Sequence, residues 1–242
     1  MTEANLIISE QPTDSYGIQC LPVFPLPIFL LCGGRQRLRI FEPKYLSMIA
    51  RATEQGGFVI GMFKKNNHFL VPNWGVHVEV VDFDTEKSGI LIVDVLAIRL
   101  VSLSDMYHQK DGLLMAQTKT KPHWSDACLP DHSSNRGSDI DNAESHIETY
   151  VETNPEAIFQ PGLDAHNFTM LSHALKGLFD AHKEINELYK TQHFNYAEWV
   201  SARLLELIPL TLDEKEGFIH QLGFAQLNEL LMTLFEKKRT KQ

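Results

Sequence analysis

His123, Asp126, Cys128, Asp131 and His132 form the densest gathering of metal-capable side chains in the sequence. Imidazole and thiolate suit zinc, but a structural zinc site takes four ligands at recognisable spacing, and this stretch offers one thiol. No metal site is expected there. Arg35, Arg37 and Arg39 alternate, which on a strand places three guanidinium groups on one face. Such a face can grip a carboxylate through forked donors, or stand in water and discourage edge pairing. The solvated reading is favoured. Phe63, Phe69 and Trp74 flank the Lys64-Lys65-Asn66-Asn67 turn. They are candidate contacts for an unfolded chain, and equally the residues that would close the end of a barrel.

Catalytic signatures do not emerge. Ser138 follows Gly137 without a G-x-S-x-G elbow, no H-E-x-x-H occurs, and Gly33-Gly34 is followed by Arg35 and not by the Lys-Ser/Thr of a phosphate loop. The expectation is a protein that is not an enzyme and holds no cofactor. Residues 122–164 set nine acids against Arg136 alone, with Glu144, Glu148 and Glu152 at i, i+4 spacing. That stripe would serve a basic partner or, more simply, form a solvated helix face.

The 242 residues carry a net charge of −9, all of it after Lys121. An acidic chain is a poor binder of phosphate backbones. Cys20, Cys32 and Cys128 are too few for a disulfide framework. Residues 1–19 hold Glu3, Glu10 and Asp14 without a Lys or Arg, unlike an export signal. Pro22, Pro25 and Pro27 break the apolar stretch from Cys20 to Cys32, which is too short to span a membrane as a helix. A soluble, cytoplasmic protein is expected.

Two kinds of sequence must position these residues. Up to Lys121, short apolar runs (18–24, 58–63, 76–83, 90–103 and 113–118) alternate with turn residues and read as strands. One helix interrupts them, from Pro43 to about Gln55. Beyond, the apolar spacing is helical: Ile140 to Val151, Phe168 to Phe179, Trp199 to Ile208, and two helices after Pro209. Thr211 and Glu214 stand in capping-box spacing, and Gly223 is placed to stop the fourth helix in a left-handed conformation. Residues 1–17 read as a tail, 18–121 as a β-rich domain, 122–139 as a linker or long loop, and 140–242 as a helical bundle.

Three ordered stretches resemble the N-terminal substrate-binding domain of Lon proteases. They are Leu21-Pro22-Val23-Phe24-Pro25-Leu26, the octapeptide Leu38-Arg39-Ile40-Phe41-Glu42-Pro43-Lys44-Tyr45, and Leu207-Ile208-Pro209-Leu210 with the leucine-rich helix beyond. The resemblance covers roughly residues 18–238 and implies an α+β protein: a PUA-like β pseudo-barrel followed by an α-helical bundle. Within the octapeptide, Arg39, Phe41, Glu42, Pro43 and Tyr45 read as a strand-to-helix joint more than a binding motif, with Glu42 able to cap the helix. The ATPase and peptidase modules of a full Lon protease have no counterpart here. The resemblance therefore implies a non-catalytic, stand-alone module that binds unfolded or damaged polypeptide, through apolar patches and the cleft between the two halves. A Lon protease is the partner it suggests. The alternative is a PUA-like nucleic-acid or nucleotide-binding protein, which the charge arithmetic opposes.

Overall fold

The structure is a computed structural model that describes residues 19–128, 165–220 and 222–239. The helix expected around residues 140–151, the acidic stripe upon it, Asp131, His132 and Ser138 lie outside the described residues.

Six strands and one helix come first: β1 (Gln19–Leu26), β2 (Arg35–Ile40), α1 (Pro43–Gln55), β3 (Phe58–Met62), β4 (Trp74–Thr85), β5 (Leu91–His108) and β6 (Leu114–Thr120). The strands lie in the order β2-β5-β4-β3-β1-β6, and β6 returns to pair with β5. Five strands thus close into a pseudo-barrel, and β2 hangs on its rim. Among the described residues only the β1–β3 pairing is parallel. The 18 residues of β5 make this possible: along the edge opposite β4, Leu91–Leu96 pair with β2 and Val101–His108 with β6.

β3 is buried throughout and serves two cores by alternation. Val59 joins Val23, Val101 and Leu114 in a small core, while Phe58, Ile60 and Met62 face a larger one. The larger core runs on without a break into the helices α2 (Ala165–Ala181), α3 (Lys183–Leu188), α4 (Ala197–Leu207), α5 (Leu212–His220) and α6 (Phe224–Arg239). The chain is therefore α+β, as the sequence leads one to expect.

Two local readings need correction. Glu42 does occupy the position before α1, yet its side chain caps nothing and lies 3.6 Å from the Lys44 ammonium; its backbone carbonyl accepts from Tyr45 and Leu46 instead. Gly223 has no positive φ. It starts α6 rather than ending α5: its N–H donates to Gln226 Oε1 at 2.9 Å and its carbonyl accepts from Leu227. The Thr211–Glu214 capping box is present, with reciprocal bonds of 2.7 and 3.3 Å.

Helix α4 is the hub, because it is buried on almost every side, including its Arg203, which is 1% exposed. The Arg203 guanidinium meets Glu206 through Nε–Oε2 and Nη2–Oε1 contacts of 2.7 Å each, and Nη2 also reaches the Leu31 and Cys32 carbonyls. Glu206 Oε1 in turn accepts the Leu31 N–H at 2.7 Å. This pair sits directly on the backbone of the loop before β2. A Cβ on Gly34 would stand 2.6 Å from Glu206 Oε1 and 2.9 Å from the Leu31 carbonyl oxygen, and Gly33 has φ +78° with Arg203 Nη1 3.2 Å from where its Cβ would be. Glycine is required at both.

Removing one partner strands the other charge in the interior. Glu206→Ala is expected to cost about 3–5 kcal/mol, read as a lowered urea midpoint; a loss below about 1 kcal/mol would show that water reaches the pair.

The turn Trp124–Cys128 docks the strands onto α5: His123 Nε2 lies 2.9 Å from the Phe218 carbonyl oxygen and Nδ1 2.8 Å from Ser125 Oγ. Burial lowers the pKa of His123, as it does for His77 and His193. Below the ordinary histidine range the unfolded chain then binds more protons than the folded one, so stability falls as pH drops through about 6.5. The urea midpoint should decline from pH 7 to pH 5.5, and less steeply in His123→Gln. An unchanged slope would remove His123 as a contributor.

Candidate functional site

A cleft of about 1090 Å³ opens between the rim of the barrel and the helices. One wall is the outer face of β2, β5 and the end of β4. The other comes from α3, α4 and α5, and the segment Pro27–Leu30 lines its base. The three alternating arginines belong to this wall. Strand pairing sets Arg37 opposite Asp94, and its Nε and Nη2 donate to the two carboxylate oxygens at 2.7 Å each. Arg39 Nη2 donates to Glu86 at 2.9 Å. Arg35 makes no ion pair among the described residues, though its backbone N–H donates to the Tyr189 hydroxyl at 2.9 Å.

Between these charges the cleft is apolar. Ile28, Ile92, Ile185, Leu188, Leu207 and Leu212 line it, and Phe83 stands 70% exposed beside Asp82 and Asp84. Lys190 reaches over from the helical side to Asp82 at 3.3 Å, which lowers the Asp82 pKa.

The titratable groups deep in the cleft are committed to the fold. Burial pushes the Tyr189 phenol up to about 12. The Lys215 ammonium donates to the Glu206 backbone carbonyl at 2.8 Å and lies 5.9 Å from the Phe29 ring centre; burial lowers its pKa. Burial raises the Glu206 carboxyl, and Arg203 pulls it back.

The remaining candidates are dispersed. Trp74 is only 2% exposed, and its indole N–H donates to Glu216 Oε1 at 2.7 Å. Glu216 also holds Lys64, so the turn, for which a contact patch and a barrel closure were equally expected, is riveted to α5. Phe69 is half-buried against the small core and His108, while Phe63 remains 40% exposed. Tyr45 stacks on Phe24 with ring centres 4.0 Å apart, and Pro43 opens α1. Phe41 is 68% exposed at the end of β2. Among the described residues no group of three or more His, Cys, Asp or Glu could hold a metal ion. Burial pushes the Cys32 thiol up to about 12 and raises that of Cys128. Among the described residues, no helix is long and apolar enough to cross a membrane.

Sequence reasoning missed Arg203 and Glu206. The signal available was that Arg203 lies among Val200, Ala202, Leu204 and Leu205, in a helix apolar all round.

No protein-family model matches the sequence, and comparison with curated proteins gives no match. Solved structures do match. The Lon N-terminal domain protein from Xanthomonas campestris aligns with a TM-score of 0.54 at 20% identity, over 89% of this chain and 98% of that one. The N-terminal domain of the Lon protease of the Mycobacterium avium complex aligns with a TM-score of 0.52 at 13% identity, over 89% and 97%. Likeness across nearly the whole of each chain shows that this protein has the fold of the Lon N-terminal domain.

Proposed function

We propose that the protein is a non-catalytic module that binds unfolded or damaged polypeptide segments in the cleft between β2–β5–β4 and helices α3–α5. The observation that carries this reading is the composition of the cleft: aliphatic positions and an exposed Phe83, framed by charges of both signs. Unfolded segments present scattered apolar side chains among polar ones, which such a trough can accept without a single deep pocket. The resemblance to the Lon substrate-recognition domain supports the same reading, and a protease able to degrade what is bound is the partner it suggests. Acidic Asp82, Asp84, Glu86, Asp94 and Glu184 in the cleft oppose phosphate-backbone binding.

Titrations of a fluorescein-labelled, carboxymethylated unfolded polypeptide and of a labelled single-stranded RNA, each at 50 and 200 mM salt, separate the two classes of ligand. Micromolar affinity for the polypeptide, about −8 kcal/mol, nearly independent of salt, is expected. Phe83→Ser should weaken it about tenfold, as loss of a central aromatic contact does. RNA binding that falls about 10³-fold over that salt range, with no affinity for the polypeptide, would overturn the proposal.

A further inference from the structure

Strand pairing sets two carboxylates side by side on the cleft wall. Arg37 lies opposite Asp94, and Asp94 opposite Asp82, so the three share one row across β2, β5 and β4. The register shift between Val80 and Asp82 makes this row: Val81 is the extra residue of a bulge, and without the bulge Val81 would stand opposite Asp94. Like charges directly opposite each other destabilise a sheet, and here each carboxylate has its own cation. Asp94 takes two bonds of 2.7 Å from Arg37. Asp82 takes one of 3.3 Å from Lys190, which comes from the helical side. Among the described residues this is the only ion pair that bridges the two walls of the cleft.

Lys190 follows a fixed point. The buried Tyr189 hydroxyl accepts the Arg35 N–H deep in the cleft, which anchors the backbone beside Lys190 while its long side chain remains free to turn. The Lys190 and Asp82 side chains are 73% and 54% exposed, against 1% and 8% for Arg203 and Glu206. An exposed pair of this kind favours its closed form by about fivefold at most. It parts readily, and the repulsion between Asp82 and Asp94 draws Lys190 back.

We infer that Lys190 and Asp82 form a strap across the mouth of the cleft, which parts to admit a polypeptide segment from the side and closes over it. The inference rests on the polypeptide-binding reading above and adds how the chain enters and is kept. A segment within a long chain has no end to thread, and the bond crosses the mouth beside the exposed Phe83. A strap that closes alike over an empty and a filled cleft slows entry and exit by the same factor, and leaves the affinity where the walls set it.

Stopped-flow mixing of the full chain with the fluorescein-labelled, carboxymethylated polypeptide reads both rates. Lys190→Ala should raise the association and dissociation rate constants by about two- to fivefold each, with their ratio changed less than about twofold. Asp82→Asn keeps the oxygen that accepts the Phe83 N–H and should do the same. The double variant should gain no more than either alone, since all three lack the same bond. Opposite shifts in association for the two single variants, the mark of charge steering, overturn the strap. So does a rise in dissociation alone, the mark of a lost contact with the ligand. A second measurement needs no polypeptide. Lys190 holds the Asp82 carboxyl below the ordinary carboxylate range, so its titration, followed by carbon-13 NMR, should move to higher pH in Lys190→Ala. An unchanged titration overturns the strap whatever the rates do. Polypeptide binding at rates that neither variant alters sinks the strap and leaves the proposed function standing. Absence of polypeptide binding in every variant removes both.

Discussion

The arrangement of the molecule depends on the buried contact between Arg203, Glu206 and the loop before β2. Desolvation of two charges roughly cancels their attraction, so a pair of this kind adds little net stability over apolar side chains of the same size. What it supplies is placement. A planar fork accepts a carboxylate in one orientation, and its leftover Nη2 contacts fall on two carbonyls that can lie in only one place. The loop in turn delivers β2 to the edge of β5, where the Gly33 N–H donates to the Ala97 carbonyl and the Ala97 N–H to the Gly34 carbonyl, which begins the pairing. Helix α4, the rim of the barrel and the base of the cleft are thus located by one polar knot inside a largely apolar core.

Helix α5 is held in a complementary way. Within four residues it offers the Lys215 ammonium to Glu206 on α4, the Glu216 carboxylate to Trp74 on β4 and Lys64 in the turn before it, and the Phe218 carbonyl to His123. Each bond joins a different part of the fold. One wall of the cleft is therefore tied at several points, while the facing wall ends in β2, which among the described residues pairs along one edge only.

Much of the architecture was legible in the sequence because it rests on periodicity. Helix α1 runs over the residues that Pro43 and its apolar spacing mark, and the Thr211–Glu214 spacing produces its capping box. Most strands were placed but cut short: β5 runs to His108 rather than 103, since Ser104, Asp105, Tyr107 and His108 break the apolar pattern where it pairs with β6. The cleft was harder to read. Arg35, Arg37 and Arg39 could be set on one face, but their acidic neighbours Asp94 and Glu86 come from strand register, which no local pattern encodes. Trp74, after a polar turn, fitted a surface patch and the closing of a barrel equally well; in the structure it is buried and bonded to Glu216, 142 residues later. Arg203 and Glu206 at i, i+3 have the spacing of a solvated pair, and only the apolar residues around Arg203 say otherwise.

The connectivity of β1 has a consequence for how the chain comes together during synthesis. β1 lies between β3 and β6, so one of its edges waits for residues Leu114–Thr118. The Leu31 N–H waits longer still, for a carboxylate 175 positions further on. Bringing such distant partners together costs loop-closure entropy before any contact repays it. A ribosome releasing this chain from its N-terminus would deliver the strands well before the helix that anchors them. The nascent barrel is accordingly a late-maturing structure: its first apolar strands spend much of translation without their last neighbours, and the same type of exposed segment that the finished cleft is proposed to hold is one the protein itself displays while being made.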